Sequence, residues 1–232
     1  MQHVVIFTKK TVLLQAISDA VGNGCAYYVS GTTPIHRLEL TVANFDGNYR
    51  AFADKNERER RKRHCLGNIR VFMFYREGDD FVSWWLHAMP PAAGKHPVHS
   101  AEKLHDALDR YDRIVIFGLE LVRLPKTETS KSKITWRMTE DVYREMAKKI
   151  QDAVRSRSHW QMEKAITEVK SKIHGFNGAR SQFGNLMVLY RREVKRASLK
   201  NAPIPPDKLP YTRRIRHDGI TVKQLLIMTR HD

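Results

Sequence analysis

"NIRVFMFYREGDDFVSWWLHAM", residues 68–89, decides the fold class. Two runs dense in aromatic and β-branched residues flank the polar, glycine-containing REGDD, the pattern of two strands joined by a hairpin turn. Neighbouring side chains on a strand point to opposite faces, so Trp84 and Trp85 must look to opposite sides of the sheet. One then belongs to the core, and the other is available as a stacking platform for an unpaired base.

Outward from the hairpin towards the N-terminus, "VVIFTK" (4–9) reads as a short buried strand. "TVLLQAISDAVGNG" (11–24) reads as a helix with Val12, Leu13, Ala16, Ile17 and Ala20 on one face and a glycine stop. "CAYYVS" (25–30) and "HRLELTVANF" (36–45) are expected as two strands across the turn "GTTP", the second alternating Leu38, Leu40 and Val42 with Arg37, Glu39 and Thr41. A helix through Tyr49, Phe52 and Ala53 then runs out into "DKNERERRKRH" (54–64) before the hairpin begins. The order is βαββαβ, that of a ferredoxin-like unit, a scaffold also used by RNA-binding and replication or processing domains.

Beyond the hairpin, "PPAAGKHP" is a loop, Ser100 caps a short helix "SAEKLHDALDRY", and "RIVIFGLELVRL" pairs with "KITWRMT" across the polar loop "PKTETSKSK". Thr139 then caps "EDVYREMAKKIQDAVRSR", with Val142, Met146, Ile150 and Val154 at helical spacing. "HWQMEKAITEVKSKI" and "GARSQFGNLMVLYRREVKRASLK" follow as helices, and "NAPIPPDKLP" (201–210) is a linker whose prolines forbid a continuous helix. The expected class is α+β: a ferredoxin-like start extended by antiparallel strands over residues 1–138, then a basic helical region over 139–232.

The chain has 232 residues, enough for one large domain or two small ones with a real core. It holds 41 Lys and Arg against 25 Asp and Glu, a net charge of +16 and a pI near 10.0, a balance that attracts polyanions, nucleic acid first. The excess is uneven: residues 1–124 hold 17 basic and 14 acidic side chains, and residues 125–232 hold 24 and 11. No apolar run approaches the roughly twenty residues of a membrane span, and no signal-peptide order opens the chain, so a cytoplasmic protein without a membrane partner is expected. Cys25 and Cys65 are too few for a disulfide framework or a four-thiolate zinc site, which fits a reducing compartment.

The leading candidate site is the basic C-terminal half. In the helix from Gly178 to Lys200, Phe183, Met187, Tyr190 and Val194 form an apolar stripe. Arg191 with Lys195 and Arg192 with Arg196 are like-charge i, i+4 pairs, each costing an isolated helix about 0.2–0.5 kcal/mol. That arrangement makes sense where an anion comes to sit; otherwise it is a solvated face at a helix end that favours cations. Arg180 at the helix start and Arg213, Arg214 and Arg216 beyond the linker extend the candidate phosphate contacts. Arg60, Arg61, Lys62 and Arg63 point all round a helix that cannot pack on the sheet, and Glu57 and Glu59 reduce their field, so they are a secondary contact.

A rival reading is a metal-dependent nuclease or nicking enzyme. His87, His96, His99 and His105 fall within nineteen positions, with Asp106 and Asp109 nearby. Imidazoles suit transition metals, but no HExxH is present and no known metal spacing fits. "GLELVRLPK" offers Glu120 with Arg123 and Lys126 displaced from a PD-(D/E)xK arrangement, and there is no GxxxxGK[ST] loop. Trp136 and Trp160 are expected in the core. No cofactor, catalytic residue or metal ligand is assigned.

The words "WWLHAMP", "HPVHSAEKL", "ELVRLPK", "ITWRMT", "GFNGARSQF" and "LPYTRR", spread over residues 84–214, resemble uncharacterised accessory proteins of plasmids and integrative conjugative elements. The resemblance brings no catalytic residue; it implies a role in DNA transfer, replication or their control. The sequence-based expectation is therefore a DNA-binding protein of a mobile element, DNA ahead of RNA, acting through phosphate contacts and possible as a homodimer or part of a nucleoprotein complex. A non-catalytic protein-interaction component is a third alternative.

Overall fold

The hairpin read from residues 68–89 forms as β3, Ile69–Phe74, and β4, Phe81–Ala88, antiparallel with Ile69 opposite Ala88 and Phe74 opposite Ser83. The computed structural model describes residues 4–125, 132–172, 175–215 and 218–229. The other elements of the first 113 residues are β1 (Val5–Phe7), α1 (Lys10–Gly22), β2 (Tyr27–Pro34), α2 (Leu38–Tyr49), α3 (Lys55–Arg63), α4 (Val98–Ala101) and β5 (His105–Asp106). Then come β6 (Val115–Ile116), β7 (Leu119–Leu124), β8 (Lys133–Met138), α5 (Glu140–Arg155), α6 (His159–Lys172), α7 (Asn177–Arg196), β9 (Ile220–Thr221) and α8 (Val222–Met228).

The class is α+β, and the chain divides into two compact units: Met1–Arg113 with Arg214–Asp232, and Ile114–Arg213. This partition differs from the one expected at 138/139. The strands read at 113–139 join the helices that follow them, and the last residues return to the first unit.

In the first unit six strands run in the order β5-β2-β4-β3-β1-β9, with β1 and β3 parallel and all other pairs antiparallel. The ferredoxin-like order does not form, because residues 38–49, expected to begin as a strand, are helical. Leu38, Val42, Phe45 and Tyr49 are the buried positions of α2, at spacings of four, three and four, whereas Leu40, which made the alternation look strand-like, is exposed. These four residues pack with Ile69, Met73, Val82 and Leu86 on one face of the sheet. Phe72 and Phe74 point to the other face, and α1, with Leu13, Leu14 and Ile17 fully buried, packs over β3.

The segment GTTP continues β2 instead of turning. Gly31 lies beneath the Trp84 indole, where a Cβ would come within 2.6 Å of the ring, so a side chain there would collide. The helix expected at 100–111 is one turn, α4, after which His105 and Asp106 pair with Tyr28 and Tyr27 as an edge strand. At the other edge β9 pairs with β1, and α8 follows with a capping box between Thr221 and Gln224 and a buried Leu225. Asp218 accepts the backbone N–H groups of Thr8 and Lys9 at 3.3 and 2.9 Å, supplying the acceptor that Lys9, the residue preceding α1, lacks.

The second unit is a three-stranded antiparallel sheet, β6-β7-β8, with α7 against β8 and α5 packed between α6 and α7. The run 113–124 is not one strand. Phe117 and Gly118 both have positive φ (55° and 76°), the two-residue turn that matches the twist of a hairpin. Trp136, Phe183, Tyr190, Met146 and Ile150 form the buried core. On the edge strand β8, the Gln182 amide donates to Met138 O at 3.0 Å and accepts from Met138 N, which ties α7 to the sheet.

Candidate nucleic-acid interface

The end of α7 is built as its sequence pattern requires. Phe183, Met187 and Tyr190 are buried and Val194 half-buried, and Arg191, Arg192, Lys195 and Arg196 stand on the solvent side. The like-charge pairs are relieved by carboxylates: Arg191 bonds Asp207 of the proline segment, and Arg196 bonds Glu193. Among the described residues Arg192 and Lys195 have neither ion pair nor hydrogen bond and are exposed, and Lys200 lies exposed just beyond the helix. Lys195 and Arg196 sit in the last turn of α7, where the helix dipole favours cations.

The other expected contacts are occupied to different degrees. Arg180 donates from Nε to Leu209 O at 2.7 Å, and its guanidinium lies 3.5 Å from the Tyr211 ring centroid, so it anchors the proline segment to α7. Arg214 bonds Asp19 on α1 and belongs to the first unit; Arg213 is the last residue of the second. Arg216 lies outside the described residues. Of the charge excess, the second unit holds 21 basic and 10 acidic side chains and the first 20 and 15, so most of it resides with α7.

In α3 the Asp54 carboxylate caps the helix, accepting from Glu57 N at 2.8 Å, and no residue is buried, in accord with four consecutive cations pointing all round it. Arg60 holds Glu57 through two bonds of 2.8 and 2.9 Å, and this contact keeps the Glu57 carboxyl below the usual range. Arg61 is turned back onto Gly67 O at 3.0 Å, and Lys62 and Arg63 are exposed, without a bonding partner among the described residues.

Near α3 lies a feature that no motif in the sequence marks. An open cleft of about 260 Å³ is lined by Phe7, Phe52 and Phe72, by Val4, Val5, Ala51, Ala53 and Val71, and by Arg58 and Arg70. Arg58 donates from its guanidinium Nη1 to Ala53 O, which fixes the head group at the cleft and leaves its other N–H donors available. Arg70 is half-buried and has no hydrogen bond or ion pair among the described residues, and no carboxylate lines the cleft. The available signal was Arg70 itself, a lone cation within the apolar strand "NIRVFMFY".

The four histidines do not converge on a metal; each is held by a separate partner. His87 is fully buried between Tyr28, stacked at 5.9 Å, and Phe72, edge-on at 5.6 Å. Its Nδ1 donates to Cys25 O at 3.1 Å and its Nε2 has no partner, and burial pushes its pKa down to about 4. His96 accepts from Val98 N at 3.2 Å and donates from Nε2 to Tyr49 O at 3.1 Å; burial and nearby Arg61 lower its pKa as well. His99 bonds Met89 O at 2.9 Å, and His105 pairs with Asp112 at 3.2 Å. Among the described residues no group of three His, Cys, Asp or Glu side chains could hold a metal. Glu120, the candidate nuclease carboxylate, pairs with Arg137 at 2.6 Å across β7 and β8; Lys126 lies outside the described residues.

Trp84 packs on the α2 face, edge-on to Phe45 at 5.0 Å with its Nε1 donating to Thr33 Oγ1 at 3.1 Å, and Trp85 lies on the opposite face; both are half-buried. Trp136 is core as expected. Trp160 is not: it is 64% exposed on α6, with Lys164 Nζ 5.0 Å from its ring. No protein family, curated protein or solved structure matches the chain. Among the described residues no helix is long and apolar enough to cross a membrane.

Proposed function

We propose that the protein binds nucleic acid, DNA ahead of RNA, mainly through phosphate contacts, as an accessory protein of DNA transfer, replication or their control in a mobile genetic element. The observation that carries the reading is the pair Arg192 and Lys195, exposed and without partners among the described residues at the end of α7, in the unit that holds most of the excess charge. Arg191 and Arg196 add to it at small cost, since surface ion pairs contribute only about 0–1 kcal/mol and a phosphate can replace the carboxylate. Arg60, Arg61, Lys62 and Arg63 form the weaker second contact, with Arg60 and Arg61 already engaged. Half-buried Trp85 supplies an aromatic surface for an unpaired base. The mobile-element role rests on the sequence resemblance, and a cytoplasmic location and a homodimer or larger nucleoprotein complex belong to the same proposal.

The protein acts on this reading without chemistry of its own, because the histidines that a nuclease would use are each engaged separately, by backbone groups or by Asp112. Incubation with labelled plasmid and single-stranded DNA, with and without Mg²⁺ or Mn²⁺, tests it. A mobility shift without strand breaks is expected; metal-dependent nicking that survives mutation of α7 would overturn it.

A further inference from the structure

The cleft beside α3 combines features that a merely solvated surface does not need. Arg70 is half-buried on β3 with no counter-ion among the described residues, Arg58 enters from α3 with one guanidinium N–H held by Ala53 O and the others available, and the rest of the lining is apolar, including three phenyl rings. Partly desolvating a guanidinium without giving it a hydrogen-bond acceptor is unfavourable, so the site is complete only when an anion enters. Two guanidiniums without a carboxylate match a phosphate monoester, which carries about −1.5 to −2 charge near pH 7, better than the single charge of an internal phosphodiester. The phenyl rings suit an aromatic base attached to that phosphate. At about 260 Å³ the cleft falls just below the range of about 300–1000 Å³ usual for small-molecule sites, so it suits one nucleotide and not a length of strand.

We infer that this cleft receives a nucleotide bearing a terminal phosphate monoester, the phosphate between Arg58 and Arg70 and the base against the phenylalanines. The inference rests on the nucleic-acid reading for its preferred source, a phosphorylated strand end. Lys62 and Arg63 on the same helix give such a strand a basic approach to the cleft.

The test is a binding series at fixed salt by fluorescence anisotropy, with internally labelled oligonucleotides carrying a 5′-phosphate, a 3′-phosphate or only hydroxyl ends. A free deoxynucleoside monophosphate serves as competitor and as ligand in a thermal-shift arm. One phosphorylated end is expected to bind about tenfold more tightly than the hydroxyl end, the size of a charge-assisted hydrogen bond. Arg70→Gln removes that preference while changing affinity for the hydroxyl-ended strand by less than about twofold, and Arg70→Lys retains part of it. An Arg70-dependent thermal shift with the free monophosphate, without any end preference, upholds the cleft chemistry and assigns it to free nucleotide. Salt-dependent binding with no end preference and no Arg70-dependent thermal shift overturns this inference and leaves the phosphate-contact reading standing. No binding of any oligonucleotide overturns that reading, and a missing monophosphate shift as well overturns both.

Discussion

Lowering the pH from 7 to 5 should destabilise the first unit through His87, and replacing this residue should remove the effect. The ring is fully buried, neutral, and held through Nδ1–H to Cys25 O, with a pKa of about 4 against the ordinary 6.5. Above pH 6.5 the residue is neutral folded and unfolded, so it adds no pH dependence. Between pH 6.5 and 4 the unfolded chain takes up a proton that the folded one refuses, and stability falls as pH falls, levelling off below pH 4. A depression of about 2.5 pH units corresponds to about 3 kcal/mol in all, of which about 2 kcal/mol is spent by pH 5. With a urea dependence of about 1–3 kcal/mol per molar, the midpoint moves by about 1 M. Other carboxylates and histidines titrate in the same range, so the assay compares wild type with His87→Leu by urea unfolding at pH 7 and pH 5. At pH 7 the variant is the less stable, because the Cys25 carbonyl loses its donor. At pH 5 the difference shifts by about 2 kcal/mol in the variant's favour. Parallel pH profiles for the two proteins would refute a buried neutral His87.

In α7, Arg192→Gln with Lys195→Gln should weaken DNA binding more than Arg191→Gln with Arg196→Gln, because only the second pair is held by carboxylates; anisotropy titrations at one salt concentration rank them. Neutralising Arg60, Arg61, Lys62 and Arg63 together should cost less affinity than neutralising the α7 quartet, with the circular dichroism spectrum unchanged in both; the reverse order would make α3 the primary contact. Trp136→Ala should destabilise the second unit by about 3–5 kcal/mol, whereas Trp160→Ala should stay within about 0.5 kcal/mol, read by thermal unfolding.

What the sequence disclosed was the local part of this fold. The β3–β4 hairpin, α1, α5, α6 and α7 carry their own periodicity and turns, and each lies where that pattern puts it. Residues 38–49 carried two periodicities at once: Leu38, Leu40 and Val42 alternate, and Leu38, Val42, Phe45 and Tyr49 recur at helical spacing. Only packing against Ile69, Met73, Val82 and Leu86 selects the second. The edge strands β5 and β9 are two residues each, and their partners in β2 and β1 are distant in sequence, so nothing local marks them. The same holds for the candidate sites. The basic stripe of α7 was legible from spacing, but its carboxylate partner Asp207 sits in the proline segment, beyond the reach of helical periodicity. The histidines looked like a cluster because they are close in sequence; pairing of His87 with Cys25 O and His96 with Tyr49 O depends on the tertiary fold.

Phosphate binding by α7 is tested most sharply by the salt dependence of DNA affinity. Each neutralised phosphate contributes about −0.9 to the slope of log affinity against log salt on duplex DNA and about −0.7 on single strands. If about half of Arg180, Arg191, Arg192, Lys195, Arg196, Arg213, Arg214 and Arg216 engage, the duplex slope is about −3 to −5. Replacing Arg191, Arg192, Lys195 and Arg196 together should flatten it by about 2 or more, most of the change coming from Arg192 and Lys195. A slope near zero across the salt series, or one that the quartet variant leaves unchanged, would contradict phosphate binding by α7; a zero slope would turn the reading to a protein-interaction component whose charge serves solubility.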